Sequence, residues 1–449
     1  MGWPTCFFRK VSYVLVLLGV IGVNPVCVAQ GQTLPVLRIE ATSLTPAGIG
    51  LAVGRQSKAL FPEIERHYDT HLHALFSQIR FDHIVRQQLP HLLNQLRTAD
   101  REELQGVRQA WSITDYNQLG DGRLSADEYH VLNMLPELGI APDGIGLGVF
   151  NQVSAEQGPI VGRNLDWRHT PALRAVQAVM VYQYLDQTVV QIGFAGILSL
   201  FTGFNAQGLF AAYFDATPYS PYPTTATVAP SSRISGFMLR EILRNNSSVP
   251  QAIRRIMPLQ FVASQSILLA DHKQVKVVEY ALGQRAVVRA WDSPTTSGYA
   301  WDRVWQLAIV GCHVLASLND HCQRLQDQVR WQRLHTLLNF HPSQPAHAGV
   351  VADILLDTAH QRAALFNPQT VQSQLYIPAS NQLYLYVRPE QMGAQGIYHQ
   401  LFPDLVPQSV MSSAFFWAIL GLVLLFCCGV FWFAHKAQWL TKIKKRVSH

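Results

Sequence analysis

The chain has 449 residues, of which 49% are apolar and only 14% are charged. Ordinary globular domains carry about 25% charged residues, so this composition excludes a disordered protein and indicates a membrane-embedded part. The formal net charge of +6 comes from seven basic residues within 1–30 and 409–449, where no acidic residue occurs. Without them the chain holds 28 basic and 29 acidic residues, which argues against nucleic-acid binding.

The two ends of the chain predict export and membrane anchoring. Residues 1–29 have the pattern of a signal peptide, in which Arg9 and Lys10 precede an apolar run and a small-residue cleavage site. Residues 414–434 form an uncharged run long enough for a transmembrane helix, and the tail 435–449 carries five basic residues. We therefore predict one C-terminal span with a cytoplasmic tail and an extracytoplasmic body. The alternatives are an uncleaved N-terminal anchor and a buried C-terminal helix.

Between these ends, the spacing of apolar residues predicts two regions. Residues 30–147 are mainly helical after one strand, and Gly50 and Gly54 share a helix face that another backbone can approach closely. Residues 148–408 form a body whose strands and helices favour a layered α+β fold. The predicted strands of the body are 148–153, 159–167, 176–184, 188–193, 208–213, 266–270, 275–280 and 284–290; the predicted helices are 237–243, 249–257, 301–338 and 347–360, and a hairpin spans 374–387.

Only two cysteines, Cys312 and Cys322, lie in this body. An exported domain meets an oxidising compartment, which allows a disulfide between them. The predicted helix argues against one, because ten helical residues separate Cα atoms by about 15 Å and a disulfide needs about 7 Å or less. No Cys/His spacing typical of a zinc site occurs, so we predict no metal.

The segment 115–128 has two competing interpretations. Aligned from Asn117, it places Asp121 and Glu128 at positions 5 and 12 of a calcium-binding loop, but the ligands at positions 1 and 3 are weak or missing. Ser125 and Glu128 also form the S-x-x-E capping box of a helix N-terminus. We favour the helix start, because the sequence offers no second loop to pair with this one.

Four motifs follow one another in an order that resembles a known family. They are Gly48-x-Gly50-x-x-x-Gly54, Leu124-Ser125 ahead of Val131-Leu132-Asn133, Gly158-x-x-x-Gly162-Arg163-Asn164-x-Asp166, and Gly203-Phe204-Asn205-x-x-Gly208-Leu209. Over about residues 33–390 the chain resembles the N-terminal-nucleophile hydrolases of linear amides, which include acid ceramidase, N-acylethanolamine acid amidase, choloylglycine hydrolase and penicillin-type acyltransferases. The resemblance implies an αββα sandwich, a fatty acyl amide as substrate or ligand, and no cofactor.

The resemblance also implies the residues of the site. Relatives cut themselves to free a cysteine, whose thiol attacks the amide carbonyl while its α-amine acts as the base. Arg163 and Asp166 match the arginine and aspartate that support this nucleophile, although residues three apart on a strand point to opposite faces. The family's spacing puts the nucleophile near Gly148, where no Cys, Ser or Thr occurs.

Three further residues, Asn164, Asn205 and Arg303, are candidates for substrate binding by the same resemblance. Alternatively, Asn205 caps a turn and Arg303 is a solvated arginine on a helix. The alternative for Arg163 and Asp166 is a structural ion pair. Two functions stay open. One is a membrane-anchored acyl-amide hydrolase with an unconventional nucleophile or an activated water; the other is an inactive relative that binds lipid amides or a partner.

Overall fold

The protein is described by a computed structural model covering residues 34–156, 158–217, 231–318, 324–359, 363–388 and 400–401. The predicted signal peptide, the predicted span at 414–434 and the basic tail lie outside these residues. Within them, no helix combines the length and the apolar character needed to cross a membrane.

One strand followed by helices makes up the N-terminal part, as the sequence predicts. The elements are β1 (Val36–Glu40), α1 (Pro46–Leu60), α2 (Ile64–Leu75), α3 (Gln78–His83), a π-helical turn (Ile84–Gln88), α4 (Leu89–Asn94), α5 (Thr98–Ala110) and α6 (Ala126–Asn133). Helix α1 lies so close to α5 that a Cβ added to Gly50 would overlap the carbonyl oxygen of Glu103, and one added to Gly54 would lie 2.6 Å from Ala110 Cβ. The predicted close approach at the two glycines is confirmed.

Helix α6 begins at the predicted capping box. Ser125 Oγ accepts a hydrogen bond from the Glu128 N–H at 3.1 Å, and Glu128 Oε2 accepts one from the Ser125 N–H at 2.6 Å. In the loop before it, the Asp69 carboxylate accepts hydrogen bonds from the N–H groups of Gly120 and Gly122. The helix start is confirmed, and no group of three or more His, Cys, Asp or Glu in the described residues is arranged to hold a metal ion.

The body contains the remaining elements. They are β2 (Asp143–Val149), β3 (Ile160–Asp166), α7 (Pro171–Ala175), β4 (Gln177–Gln183), β5 (Thr188–Phe194), β6 (Thr202–Asn205), β7 (Phe210–Asp215), β8 (Ser232–Arg233), α8 (Ser235–Asn245), α9 (Val249–Ile256), β9 (Gln260–Phe261), β10 (Gln265–Ala270), β11 (Val275–Tyr280), β12 (Val287–Arg289), β13 (Gln306–Ile309), α10 (Leu325–Leu337), α11 (Ala348–Leu355), β14 (Thr370–Ile377), β15 (Gln382–Val387) and β16 (Gln400–Leu401); short 3-10 turns occur at Pro136–Leu138 and Asn151–Val153. Helices α8, α9 and α11 and the β14–β15 hairpin agree with the predicted elements.

Two sheets form the centre of the fold. In the described part of the chain, the larger sheet has the order β1-β4-β5-β6-β7-β10-β11-β12 and the smaller one the order β13-β2-β3-β14-β15-β16. All described pairings within these sheets are antiparallel except that of β1 with β4, while β8 and β9 form a separate parallel pair. Antiparallel neighbours agree with the predicted layered fold rather than with repeating βαβ units.

Three apolar layers make up most of the core, beside one small cluster of Ala281, Leu315 and Leu318. Between the sheets, Val181 and Leu268 from the larger sheet belong to the same buried cluster as Val161 and Leu307 from the smaller one. The other face of the larger sheet packs against helices α1–α6, α8 and α9, and the other face of the smaller sheet packs against α10 and α11. The protein therefore has a mixed α/β fold with the layers helices, sheet, sheet and helices.

Two parts of the body differ from the prediction. Strand β2 runs from Asp143 to Val149 rather than over 148–153, and its three glycines hide the apolar alternation that marks a strand. Residues 301–338 are not one helix, because residues 306–309 form an edge strand that pairs with β2 and helix α10 begins only at Leu325. In both cases sheet pairing between distant segments overrides the local pattern.

The loop after β13 contains Cys312, which is disulfide-bonded. Because this residue does not lie on a helix, the geometric argument against a disulfide was wrong. Every other cysteine of the chain, including Cys322, lies outside the described residues.

Candidate functional site

The pairing of β2 with β3 determines which residues of the candidate site face each other. Asp143, the first residue of β2, lies directly opposite Asp166, the last residue of β3. Gly146 lies opposite Arg163, and Gly148 lies opposite Val161. Opposed residues project to the same side of a sheet, so Asp143 and Asp166 share the face that helix α10 covers, where each finds an arginine partner.

Three donors surround the buried carboxylate of Asp166. Arg330 Nη2, from helix α10, donates at 3.0 Å, Asn367 Nδ2 donates at 2.6 Å, and Thr370 Oγ1 donates at 2.6 Å. Burial raises the pKa of Asp166, and the charge of Arg330 together with these hydrogen bonds lowers it by less. Asp166 is therefore firmly held by its neighbours, and its ion-pair partner is Arg330 rather than Arg163.

The side chain of Arg163 points to the other face and enters the larger sheet. Its Nη1 donates to the carbonyl oxygen of Phe201 at 2.6 Å and to Thr202 Oγ1, and the guanidinium carbon lies 4.8 Å from the centre of the Phe214 ring. Arg163 has no exposed surface, and burial lowers its pKa to about 9. The structure thus separates Arg163 from Asp166, as their spacing on one strand predicts.

A second charged group surrounds Arg324, the residue that precedes helix α10. Its Nη1 lies 3.1 Å from Asp143 Oδ2, its Nε lies 3.3 Å from Asp327 Oδ2, and its Nη2 donates to the carbonyl oxygen of Gly311 at 2.6 Å. A Cβ on Gly311 would overlap the Asp143 carboxylate, so only glycine lets Asp143 reach Arg324 in this position. Arg324 therefore joins the start of β2 to the start of α10.

Two acids of this region titrate near neutral pH. Burial, and secondly the charge of Asp143, raise the pKa of Asp327 to about 7. The same two causes in the same order raise the pKa of Asp215, at the end of β7, to about 6. Acids with such pKa values beside a carboxylate can exchange protons at physiological pH, which is a property of catalytic and binding sites alike.

The position predicted for the nucleophile, Gly148, lies in the packed layer between the sheets. A Cβ built on Gly148 would lie 2.7 Å from Val275 Cγ1 and 3.2 Å from Val275 Cβ. Any side chain at this position would have to displace a buried valine of the larger sheet. Strand β2 contains no Cys, Ser or Thr, and the residue at its start, opposite Asp166, is Asp143.

Two of the predicted substrate-binding residues hold neighbouring segments of the fold. The Nδ2 of Asn164 donates to the carbonyl oxygens of Leu355 and Leu365, at 2.6 and 2.8 Å, and so fixes the end of helix α11. Arg303 Nε donates to the carbonyl oxygen of His335 at 3.0 Å, near the end of helix α10. Neither side chain forms a hydrogen bond with Arg163, Asp166 or Asp143 in the described part of the protein.

The third predicted substrate-binding residue, Asn205, is a buried turn residue. Its Nδ2 donates to the carbonyl oxygens of Leu243 and Asn246, both at 2.7 Å. Its Oδ1 accepts from the N–H groups of Gln207 and Leu209, at 3.1 and 3.0 Å. These four hydrogen bonds satisfy the amide and attach the β6–β7 turn to the end of helix α8.

Several residues of the site were not singled out from the sequence. Asp143, Asp215, Arg324, Asp327 and Arg330 come from three separate segments and share no short motif. The absence of a hydroxyl or thiol in β2 was visible, but the aspartate that begins the strand became apparent only from the strand register.

Comparison with known proteins gives structural neighbours only. No family model matches the sequence, and no similar protein was found among the curated ones. A solved N-acylethanolamine-hydrolyzing acid amidase ortholog from Caenorhabditis elegans is similar at a TM-score of 0.40 and 17% identity, over 52% of this chain and 92% of that one.

Two bacterial structures are similar at lower TM-scores. Penicillin V acylase from Agrobacterium tumefaciens has a TM-score of 0.34 and 11% identity, over 54% of this chain and 82% of that one. A conjugated bile acid hydrolase from Clostridium perfringens has a TM-score of 0.35 and 14% identity, over 54% of this chain and 89% of that one. These neighbours are linear amide hydrolases of the N-terminal-nucleophile type, the class that the sequence motifs resemble. Similarities this weak carry no information about activity or substrate.

Proposed function

We propose that this protein is an exported, membrane-anchored binding protein for fatty acyl amides, built on the αββα fold of the linear amide hydrolases. The ordered motifs from Gly48 to Leu209 support the family, and the four-layer arrangement of helices and sheets is consistent with it. The predicted signal peptide and the predicted span at 414–434 support export and anchoring. One feature of strand β2 favours binding over hydrolysis.

That feature is Asp143. It begins the strand that would carry the nucleophile, lies opposite Asp166, and forms an ion pair with Arg324. A carboxylate held by an arginine cannot perform the thiol attack of the family, and the strand offers no other thiol or hydroxyl. Without self-cleavage no new α-amine forms either, so the nucleophile and its base are lost together.

The experiment compares binding with turnover in the purified full-length chain. After signal removal we expect one continuous chain on a denaturing gel, saturable binding of a fluorescent fatty acyl amide, and no hydrolysis of a fluorogenic one. Two fragments divided near residues 142–149, or hydrolysis that Asp166→Ala abolishes, would contradict the proposal. An absence of saturable binding would contradict it as well.

A second function, hydrolysis by an activated water, is favoured by one observation. Burial raises the pKa of Asp327 to about 7, so this acid can give or take a proton at neutral pH, and Arg324 bridges it to Asp143. If this pair is catalytic, Asp327→Asn will abolish turnover, whereas Asp353→Asn, a change at an exposed position of α11, will leave it intact. Wild-type protein without turnover excludes this function.

Export and anchoring need a separate test. Protease added to intact cells or spheroplasts should digest the body and leave a tag placed after His449 intact. Digestion of the tag would reverse the proposed orientation.

A further inference from the structure

One edge of the Arg163 guanidinium has no hydrogen-bond acceptor. Its Nη1 donates hydrogen bonds to Phe201 and Thr202. The Nε and Nη2 groups have no hydrogen-bond partner, although the residue is fully buried. Nε and Nη2 lie side by side on the guanidinium and present two parallel N–H donors. This edge is the one that binds a carboxylate in a bidentate fashion.

The charge of Arg163 also lacks a contacting counter-ion. The groups whose charge influences the pKa of Arg163 are Asp166, Asp143 and Tyr213, and only the first two are carboxylic acids. Asp166 is bound by Arg330 at 3.0 Å, and Asp143 is bound by Arg324 at 3.1 Å. Each of these carboxylates already has an arginine partner, which leaves Arg163 without an ion-pair partner.

A buried, unpaired cation with free donors is strongly unfavourable. Buried arginines are normally paired or fully hydrogen-bonded, and an unpaired one needs an explanation, of which a functional site is one. Aromatic contact with the Phe214 ring offsets only part of this cost, since a ring face does not replace hydrogen-bond acceptors.

We propose that the Nε–Nη2 edge of Arg163 binds the carboxylate of an acyl ligand. This inference rests on the proposed function and names the polar group that the site recognises. The carboxylate can belong to a free fatty acid or to an acyl amide formed with an amino acid, such as an N-acylglycine. Because Arg163 has no exposed surface, binding requires a local opening, and association will be slower than at an open site.

The test uses the full-length chain in a neutral detergent at pH 7.5 and constant ionic strength set with sodium chloride. The melting temperature is measured against increasing acetate, octanoate, N-octanoylglycine and the uncharged octanamide. We expect octanoate or N-octanoylglycine to raise the melting temperature progressively, and the one that acts at lower concentration identifies the source of the carboxylate.

Variants connect the effect to Arg163. Arg163→Gln should abolish the dependence on carboxylate, and Arg163→Lys, which keeps the charge but loses the paired donors, should weaken the apparent affinity about tenfold or more. Arg333→Gln, at an arginine paired with Asp357 near the surface, should respond like the wild type. If Arg163→Gln does not fold, crystals of wild-type protein soaked in a brominated fatty acid should show the carboxylate at the Nε–Nη2 edge.

Two outcomes would overturn the inference. In the first, carboxylates change the melting temperature of the wild type no more than chloride does. The acceptor for Arg163 would then be Gln374, which lies opposite it with a free Oε1 and could reach it by rotation of either side chain. The other is octanamide acting as strongly as octanoate in both wild type and Arg163→Gln. That second result would support acyl-amide binding and contradict the proposed role of Arg163.

Discussion

Asp143 and Asp166 lie opposite each other across two antiparallel strands, yet each carboxylate forms its ion pair with a different arginine. Asp166 binds Arg330 within helix α10, and Asp143 binds Arg324 at the start of the same helix. Two like charges on facing strand positions are unfavourable unless each is compensated. Helix α10 and the residue before it supply both compensating charges and so hold the start of β2 and the end of β3 together.

The Asp166–Arg330 pair should make a large contribution to stability when one partner is removed. Both side chains are more than nine-tenths buried, so Arg330→Met leaves an unpaired carboxylate in the core. We expect the free energy of unfolding to fall by about 3–5 kcal/mol in urea denaturation. Arg333→Met, three residues later on the same helix and in a more exposed pair with Asp357, should cost less, because water can reach the carboxylate that is left. Equal losses in the two variants would contradict this prediction.

Gly311 should be required by the position of Asp143. A methyl group at this residue overlaps the Asp143 carboxylate, so Gly311→Ala will displace it from Arg324 and lower the free energy of unfolding by about 1–3 kcal/mol. Adding Asp143→Ala removes the overlapping group. The double variant should therefore lose less free energy of unfolding than the two single variants lose together. A double-mutant cycle measures this difference. Additive effects would show that the two residues are not in contact.

Gly148 should not be a place at which a catalytic thiol can be restored. In Gly148→Cys the new side chain meets Val275, and we expect a loss of about 1–3 kcal/mol in the free energy of unfolding with no self-cleavage. Val275→Ala on the same background should recover much of the lost stability by opening space for the sulfur. Self-cleavage in Gly148→Cys, seen as two fragments on a denaturing gel, would place the nucleophile position there after all.

The ionisation of Glu137 should lower the free energy of unfolding as the pH rises. Burial raises the pKa of this residue from 4.5 to about 7, and hydrogen bonds from N–H groups, including that of Ser235, lower it by less. The folded state therefore binds the proton more tightly than the unfolded state, and stability is lost as pH rises from about 4.5 to about 7.

Glu137→Gln removes this titration. The free energy of unfolding of the wild type relative to the variant should decrease by about 3 kcal/mol between pH 4.5 and 7.5. Taking the difference cancels the opposite trend from His71 and His130, whose pKa values burial lowers to about 3 and about 4. A difference that is flat over this range would refute the raised pKa.

Local sequence patterns determined much of the secondary structure. The capping box at Ser125 and Glu128 fixes the start of α6, because its two hydrogen bonds join residues three apart. Gly50 and Gly54 predicted a close helix crossing for a similarly local reason, since only the absence of a Cβ permits it. The alternation of residues 374–387 likewise predicted the hairpin, whose strands are joined by a short turn.

The tertiary structure alone decided which charged groups meet. Asp166 and Arg330 are 164 positions apart, and Asp143 and Arg324 are 181 apart, so no local pattern links them. The same is true of the strand at 306–309, whose helical spacing was overridden by pairing with β2. That β2 has no thiol or hydroxyl follows from the sequence alone. Only the pairing of β2 with β3 shows that an aspartate bound to an arginine lies at the start of this strand. Side-chain pairing over such distances depends on the packing of whole layers, and that packing is a property of the complete fold.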